Sequence, residues 1–193
     1  LFRQKNHRCQ SLCFFPIFRA KALVESLIQE SGVPFTIFRT SVVFGFGDNF
    51  TTYYLRALRS SPGFFFMPGD GSVNLQPLWI EDLITCLVMS LEEEGTTNML
   101  QTIGGGECFT FKEILKEIIA RSGVRRLLIP LAPSYMRTIN LWLGQYKHGF
   151  PLSPFWLDYL AADCTCALDS LPRLYNIMPV RFLNNLNYLK SEF

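Results

Sequence analysis

Histidine is nearly absent from this 193-residue chain: His7 and His148 are the only two. A Ser-His-Asp arrangement has almost no base to draw on, and a histidine-rich metal centre is excluded. Charge is sparse at 18%, and a net value of +2 leaves no electrostatic footprint for nucleic acid. Long apolar runs are missing too. The best stretches, Leu83 to Leu91 and Ile139 to Leu143, fall short of the roughly 18 residues of a transmembrane segment. No C-x-x-C occurs. Cys9, Cys13, Cys86, Cys108, Cys164 and Cys166 define neither a zinc site nor a disulfide scaffold, and read as free, mostly buried thiols. P-loop, G-x-S-x-G, H-E-x-x-H and EF-hand motifs are all lacking, as are repeats and low-complexity tracts.

What is present is apolar and aromatic. Hydrophobic residues make up 49% and aromatic residues 15%, so a chain of this length can bury a substantial core. The spacing predicts a helix over Phe18 to Ser31 with Leu23, Val24, Leu27 and Ile28 inward, stopped by Gly32. Residues 34–39 read as a buried strand continued by Val42-Val43-Phe44 and ended by the glycines around Phe46. A helix follows from Phe50 to Arg59. Phe64 to Met67 and Leu75 to Ile80 flank Asp70-Gly71 and predict a hairpin. Asp82 reads as the N-cap of a helix burying Leu83, Ile84, Leu87, Val88 and Leu91. Asn98 to Ile103 is a strand, and Thr110-Phe111-Lys112-Glu113 is a capping box opening a helix closed by Ser122-Gly123. Gly104-Gly105-Gly106 follows a strand but lacks G-x-G-x-x-G spacing and reads as a loop. Beyond Leu127 the chain is aromatic and proline-punctuated. Helices are expected from Ser134 to about Leu143 and from a Ser153 cap at Pro154.

This order gives an α/β fold class. The expected domains are 1–15, unassigned; 16–126, an α/β unit with a hairpin insertion, which the family resemblance set out next makes the C-terminal half of a dinucleotide-binding domain; and 127–193, a helical subdomain for a substrate or partner. Residues 1–21 carry Arg3, Lys5, Arg8, Arg19 and Lys21 and no acid. That pattern fits an organellar transit segment or, as preferred here, part of a longer protein. Cytoplasmic location is the expectation, with an organellar or membrane-complex-peripheral site as the alternative.

Several strings resemble a known family. Arg19 to Glu25, followed by Ser31 to Asp48, resembles the second half of a short-chain dehydrogenase/reductase. More narrowly the chain is similar to the atypical and extended branches, which include nucleotide-sugar epimerases and the NAD(P)H-binding accessory subunit of respiratory complex I. Gln76 to Leu83 and Ile103 to Thr110 match the family's later turns, and Leu171 to Ile177 resembles the complex I branch. The resemblance implies the C-terminal portion of a Rossmann-like, doubly wound parallel sheet plus a helical, aromatic-rich C-terminal subdomain. It implies NAD or NADP as cofactor, contacted by Lys21, Thr40, Ser41 and Val42. It also implies a larger protein complex as partner, with no nucleic acid and no transmembrane segment.

The family's glycine-rich phosphate turn is not in this sequence and would lie upstream of Leu1. Lys21 matches the lysine of the family's Y-x-x-x-K, whereas the tyrosine position is Ile17, which transfers no proton. No catalytic residue is assigned. The expected function is a non-catalytic, cofactor-holding or complex-supporting module. The alternatives are an NAD(P)-dependent epimerase, dehydratase or reductase, and a gene fragment without function. Asp48 and Asn49 are open to either substrate contact or helix capping. Half a doubly wound sheet leaves an apolar edge, so marginal stability and association are expected.

Overall fold

The computed structural model describes residues 16–143 and 154–191. The cap expected at Ser153 and the assignment of residues 1–15 lie outside the described residues. Helix α1 (Pro16–Glu30) leads through Gly32, at φ +72°, into β1 (Thr36–Thr40). β1 pairs in parallel with β6 (Met99–Ile103), Thr36 opposite Met99 and Thr40 opposite Ile103. The β-branched and aromatic residues of β1 suit this pleated, half-buried surface.

The strand does not run on through Val42, as the sequence suggested. Ser41 Oγ accepts the Gln76 amide (3.0 Å) and the Val42 carbonyl accepts the Leu78 amide (2.9 Å). These bonds pull the chain into a separate ladder. There β2 (Val43–Phe44) runs parallel to β5 (Leu78–Trp79). Helix α2 (Thr51–Ser60) follows.

The expected hairpin at Asp70-Gly71 does not form. β3 (Phe64–Pro68) pairs in parallel with β8 (Leu127–Leu131), and β4 (Asn74–Leu75) pairs antiparallel with β7 (Phe109–Thr110). The turn's carbonyls are taken elsewhere: Gly71 O accepts from Lys112 N, and Val73 O accepts from Phe111 N. With those acceptors committed to the start of α4 (Phe111–Ser122), no two-strand return is left to close.

α4 itself follows the sequence. Thr110 and Glu113 form the reciprocal capping box, and Gly123 ends the helix in the left-handed region at φ +69°. Ile114, Leu115 and Ile118 are buried. They join a core that also takes Leu55 and Leu58 from α2, Phe65 and Met67 from β3, and Leu157, Phe182 and Leu189 from the tail. The β3–β8 ladder and this core both cross the position-126 boundary drawn from sequence. The tail adds α5 (Pro133–Leu143), α6 (Pro154–Tyr159), α7 (Ser170–Tyr175) and α8 (Tyr188–Ser191).

Helix α3 (Ile80–Glu92) corrects two expectations. Its N-cap is Trp79, without a side-chain cap, and Asp82 sits in the first turn. The Asp82 carboxylate instead accepts the Val180 amide at 2.8 Å, pinning the tail to the helix. Ile84, Leu87, Val88 and Leu91 are exposed rather than buried, as are Leu23, Val24 and Leu27 of α1. Among the described residues the β1–β6 ladder is two strands wide, and Leu83, Cys86 and Met89 of α3 join the cluster that holds its Phe38 and Ile103.

Burial, reinforced by the neighbouring Glu81, raises the Asp82 carboxyl above its ordinary range. The folded chain therefore holds this proton more tightly than the unfolded chain does. Its contribution is fully favourable below the ordinary carboxylate range and declines as pH rises through the raised value. Asp82→Asn keeps the acceptor for Val180. We expect chemical denaturation across mildly acidic pH to show a flatter stability profile for this variant than for the parent. A profile of unchanged slope would remove Asp82 as its source.

Candidate functional site

The loop from Ser41 to Phe50 collects the polar groups of the site. Gly45 is held against α3, where a Cβ would collide with the Ile80 side chain, and Gly47 takes φ +73°. These two positions require glycine and turn the chain sharply between β2 and α2. Asp48 fixes the turn. Its Oδ2 accepts from Gly45 N (3.0 Å), Thr51 Oγ1 (2.6 Å) and Tyr188 Oη (2.9 Å), and its Oδ1 accepts from Phe50 N (2.8 Å) and Thr52 N (3.2 Å). The carboxylate thus caps α2 and clasps the tail; all five donors are the chain's own. Burial and the adjacent Asp48 charge push the Tyr188 phenol far up. Asn49 is exposed beside this turn.

A cavity of about 340 Å³ opens along the loop, lined by Val43, Phe46, Phe50, Ile80 and Trp156 together with the Gly45–Asn49 backbone turn. The volume lies within the range of small-molecule sites. No lysine or arginine lines it.

The residues suggested by sequence fall close together, but not equivalently. Lys21 is exposed on α1, with its ammonium 5.8 Å from the centre of the Tyr159 ring. Ser41 is half-buried, and its hydroxyl is bonded both to the Gln76 amide and to the Tyr159 phenol. Thr40 ends β1 opposite Ile103. Val42 is buried at 4% exposure, so its side chain belongs to the core. Tyr159, whose aromatic neighbourhood in the tail reads as core or docking surface, was not foreseen beside Lys21 and Ser41. It is 6% exposed, stacks on Phe18 and Phe155, and bridges Ser41 and Cys164. Burial raises its phenol far above its ordinary range, followed by repulsion from Cys164. A phenol in that state resists ionisation, so its phenolate is scarcely populated at neutral pH. No sequence spacing announces it, because it lies on α6, far along the chain from Lys21.

The Gly104–Gly106 turn holds no phosphate cradle. A Cβ on Gly104 would meet Gln76 and Cys166 at 2.8–2.9 Å, one on Gly105 would strike the Pro77 carbonyl, and one on Gly106 would meet Pro179 at 2.7 Å. These glycines allow close packing of three segments. Gln76, fully buried, ties them: Nε2 donates to Gly105 O (2.5 Å) and Oε1 accepts from Cys166 N (2.7 Å). Burial raises the Cys86 thiol to about 11 and also raises Cys108, Cys164 and Cys166, so none of these four is poised as a thiolate at neutral pH. Among the described residues no group of three or more metal-ligating side chains occurs, and no helix is long and apolar enough to cross a membrane.

No family model matches the chain. It is 31% identical over 159 residues to the mitochondrial NADH dehydrogenase [ubiquinone] 1 alpha subcomplex subunit 9 of Dictyostelium discoideum, covering 79% of this chain and 43% of that protein. Solved structures share the fold. The NADPH-dependent quinone oxidoreductase of Escherichia coli, complexed with NADPH, superposes with a TM-score of 0.69 at 13% identity over 91% of this chain and 60% of that one. The Bacillus cereus UDP-glucuronic acid 4-epimerase, in complex with UDP-glucuronic acid and NAD, does so with a TM-score of 0.59 at 17% identity over 90% and 50%. The chain therefore spans less than half the length of its curated relative. By sequence the chain is similar to this complex I accessory subunit, and its fold is that of the epimerase and oxidoreductase solved with NAD and NADPH.

Proposed function

We propose that the chain is part of a module that holds NAD or NADP without turning it over and supports a larger assembly, in the manner its mitochondrial relative's name suggests. The observation that carries the reading is the pairing of an exposed Lys21 with Ile17 one helical turn before it. A cation remains to meet a nicotinamide ribose, and the proton-transferring phenol does not. Tyr159 does not restore it, because its hydroxyl is sealed between Ser41 and Cys164. When bound, the dinucleotide supplies hydride chemistry; Lys21, Thr40 and Ser41 would orient its nicotinamide end. The packed Gly104–Gly106 turn does not suit the pyrophosphate. An organellar setting fits the same relative.

The test uses the 193-residue chain with nicotinamide mononucleotide followed by ligand-detected NMR. Weak binding is expected, reduced about tenfold in Lys21→Met by loss of one charge-assisted hydrogen bond. Silence of the parent chain would sink the cofactor assignment. The nicotinamide absorbance of NADH should stay constant with sugar nucleotides or quinones added. Steady turnover would instead favour the second reading, an epimerase or reductase, for which the 340 Å³ cavity beside Asn49 is the supporting observation.

A further inference from the structure

The outer face of the β3–β8 ladder is apolar and uncovered among the described residues. The parallel register sets Phe64 opposite Leu127 and Phe66 opposite Ile129, so these four side chains share one face, while Phe65 and Met67 point to the core. Phe64 and Phe66 are 38% and 37% exposed and lie edge to face with ring centres 5.2 Å apart; Leu127 is 66% exposed. A parallel ladder normally has both faces buried.

The end of this face is strongly basic. Residues 51–66 carry Arg56 and Arg59 and no acid, and residues 117–131 carry Arg121, Arg125 and Arg126 against one acid, Glu117, which pairs with Arg121 at 4.0 Å. The structure brings the two stretches together where the ladder begins. Arg126 donates to the carbonyls of Leu58 (2.8 Å) and Arg59 (3.3 Å), and Leu127 N donates to Gly63 O (3.1 Å). Arg125 is exposed two residues before Leu127.

We propose that this face is a docking surface for an anionic phospholipid membrane. The rings of Phe64 and Phe66 and the Leu127 side chain would enter the headgroup–acyl boundary, and the arginines would meet lipid phosphates. Charge complementarity selects an anionic partner. The flat apolar face beside it selects a bilayer, which supplies phosphate and hydrocarbon side by side. An acidic polypeptide would satisfy the arginines and leave the phenylalanine pair facing water. Shallow aromatic insertion needs no spanning helix, and none is present among the described residues.

The test is flotation of the 193-residue chain with vesicles of phosphatidylcholine alone and with about a third phosphatidylglycerol. We expect partition into the anionic vesicles only, weakened by salt. Arg125→Glu reverses one charge near the surface and should lower partition by about tenfold or more. Phe64→Ser/Phe66→Ser, both at exposed positions, should lower it at least as far, with circular dichroism unchanged. Leu27→Gln/Leu91→Gln, on the other exposed apolar faces, should not alter it. Equal binding to neutral vesicles would overturn the proposal, as would indifference to Arg125→Glu. Retention on poly-glutamate without vesicle binding would overturn it in favour of an acidic polypeptide partner.

Discussion

Asp48→Ala is expected to destabilise the chain by about 2–3 kcal/mol, because it removes a half-buried carboxylate and leaves its hydrogen-bond donors behind. The carboxylate receives five hydrogen bonds, three from backbone amides and two from hydroxyls. Alanine orphans the Phe50 and Thr52 amides at the start of α2 and frees the Gly45–Gly47 turn. It also removes one of the hydrogen bonds of the Tyr188 phenol, which keeps its bond to the Thr51 hydroxyl. Thermal unfolding should shift down by roughly 2–4 °C per kcal/mol for a chain of this size. Asp48→Asn keeps the shape but exchanges acceptors for donors, and should lose less. If Asp48 instead served a ligand rather than the fold, Asp48→Ala would melt with the parent, and that result would return Asp48 to the site.

The same residue illustrates what could be read in advance. Capping was one of the two roles the sequence left open for Asp48, because it lies two to four positions from the amides it receives. The Thr110–Glu113 box and the Gly123 stop were legible for the same reason: each is closed within three or four residues. The bond from Tyr188 spans 140 positions and that from Val180 to Asp82 spans 98, and no spacing rule reaches so far. The hairpin expectation failed on this point. Asp70-Gly71 is a genuine turn, with Asp70 accepting from Ser72 N and Oγ, but strand partners are chosen by long-range packing. β8 was hidden likewise, because Leu127–Leu131 becomes a strand only by pairing with β3. The family strings placed Lys21, Thr40 and Ser41 in one neighbourhood. They were silent on Tyr159, which the tail delivers from a different part of the chain.

Helical periodicity identified the apolar stripes of α1 and α3, yet periodicity says which face is apolar and not what covers it. The stripes are exposed: Leu23, Val24 and Leu27 on α1, Ile84, Leu87, Val88 and Leu91 on α3, with Leu91 at 87%. The two helices flank β1–β6, α1 through the Arg39–Glu25 ion pair (2.5 Å) and α3 through Leu83 against the cluster that holds Phe38. Among the described residues β1 pairs with β6 alone, so one edge of β1 presents its amides and carbonyls beside these stripes. A surface of this kind drives association, since burying each large side chain contributes about 1.5–3 kcal/mol, a tenfold change or more. We therefore expect the 193-residue chain to sediment well above its 22.2 kDa mass at micromolar concentration. Leu27→Gln/Leu91→Gln should shift it toward the monomer by about a hundredfold in dissociation constant, while the unfolding midpoint stays within about 0.5 kcal/mol because neither position is buried. A parent chain that sediments as a single 22.2 kDa species across that range, and melts sharply, would show that these stripes tolerate water and that β1 needs no further partner.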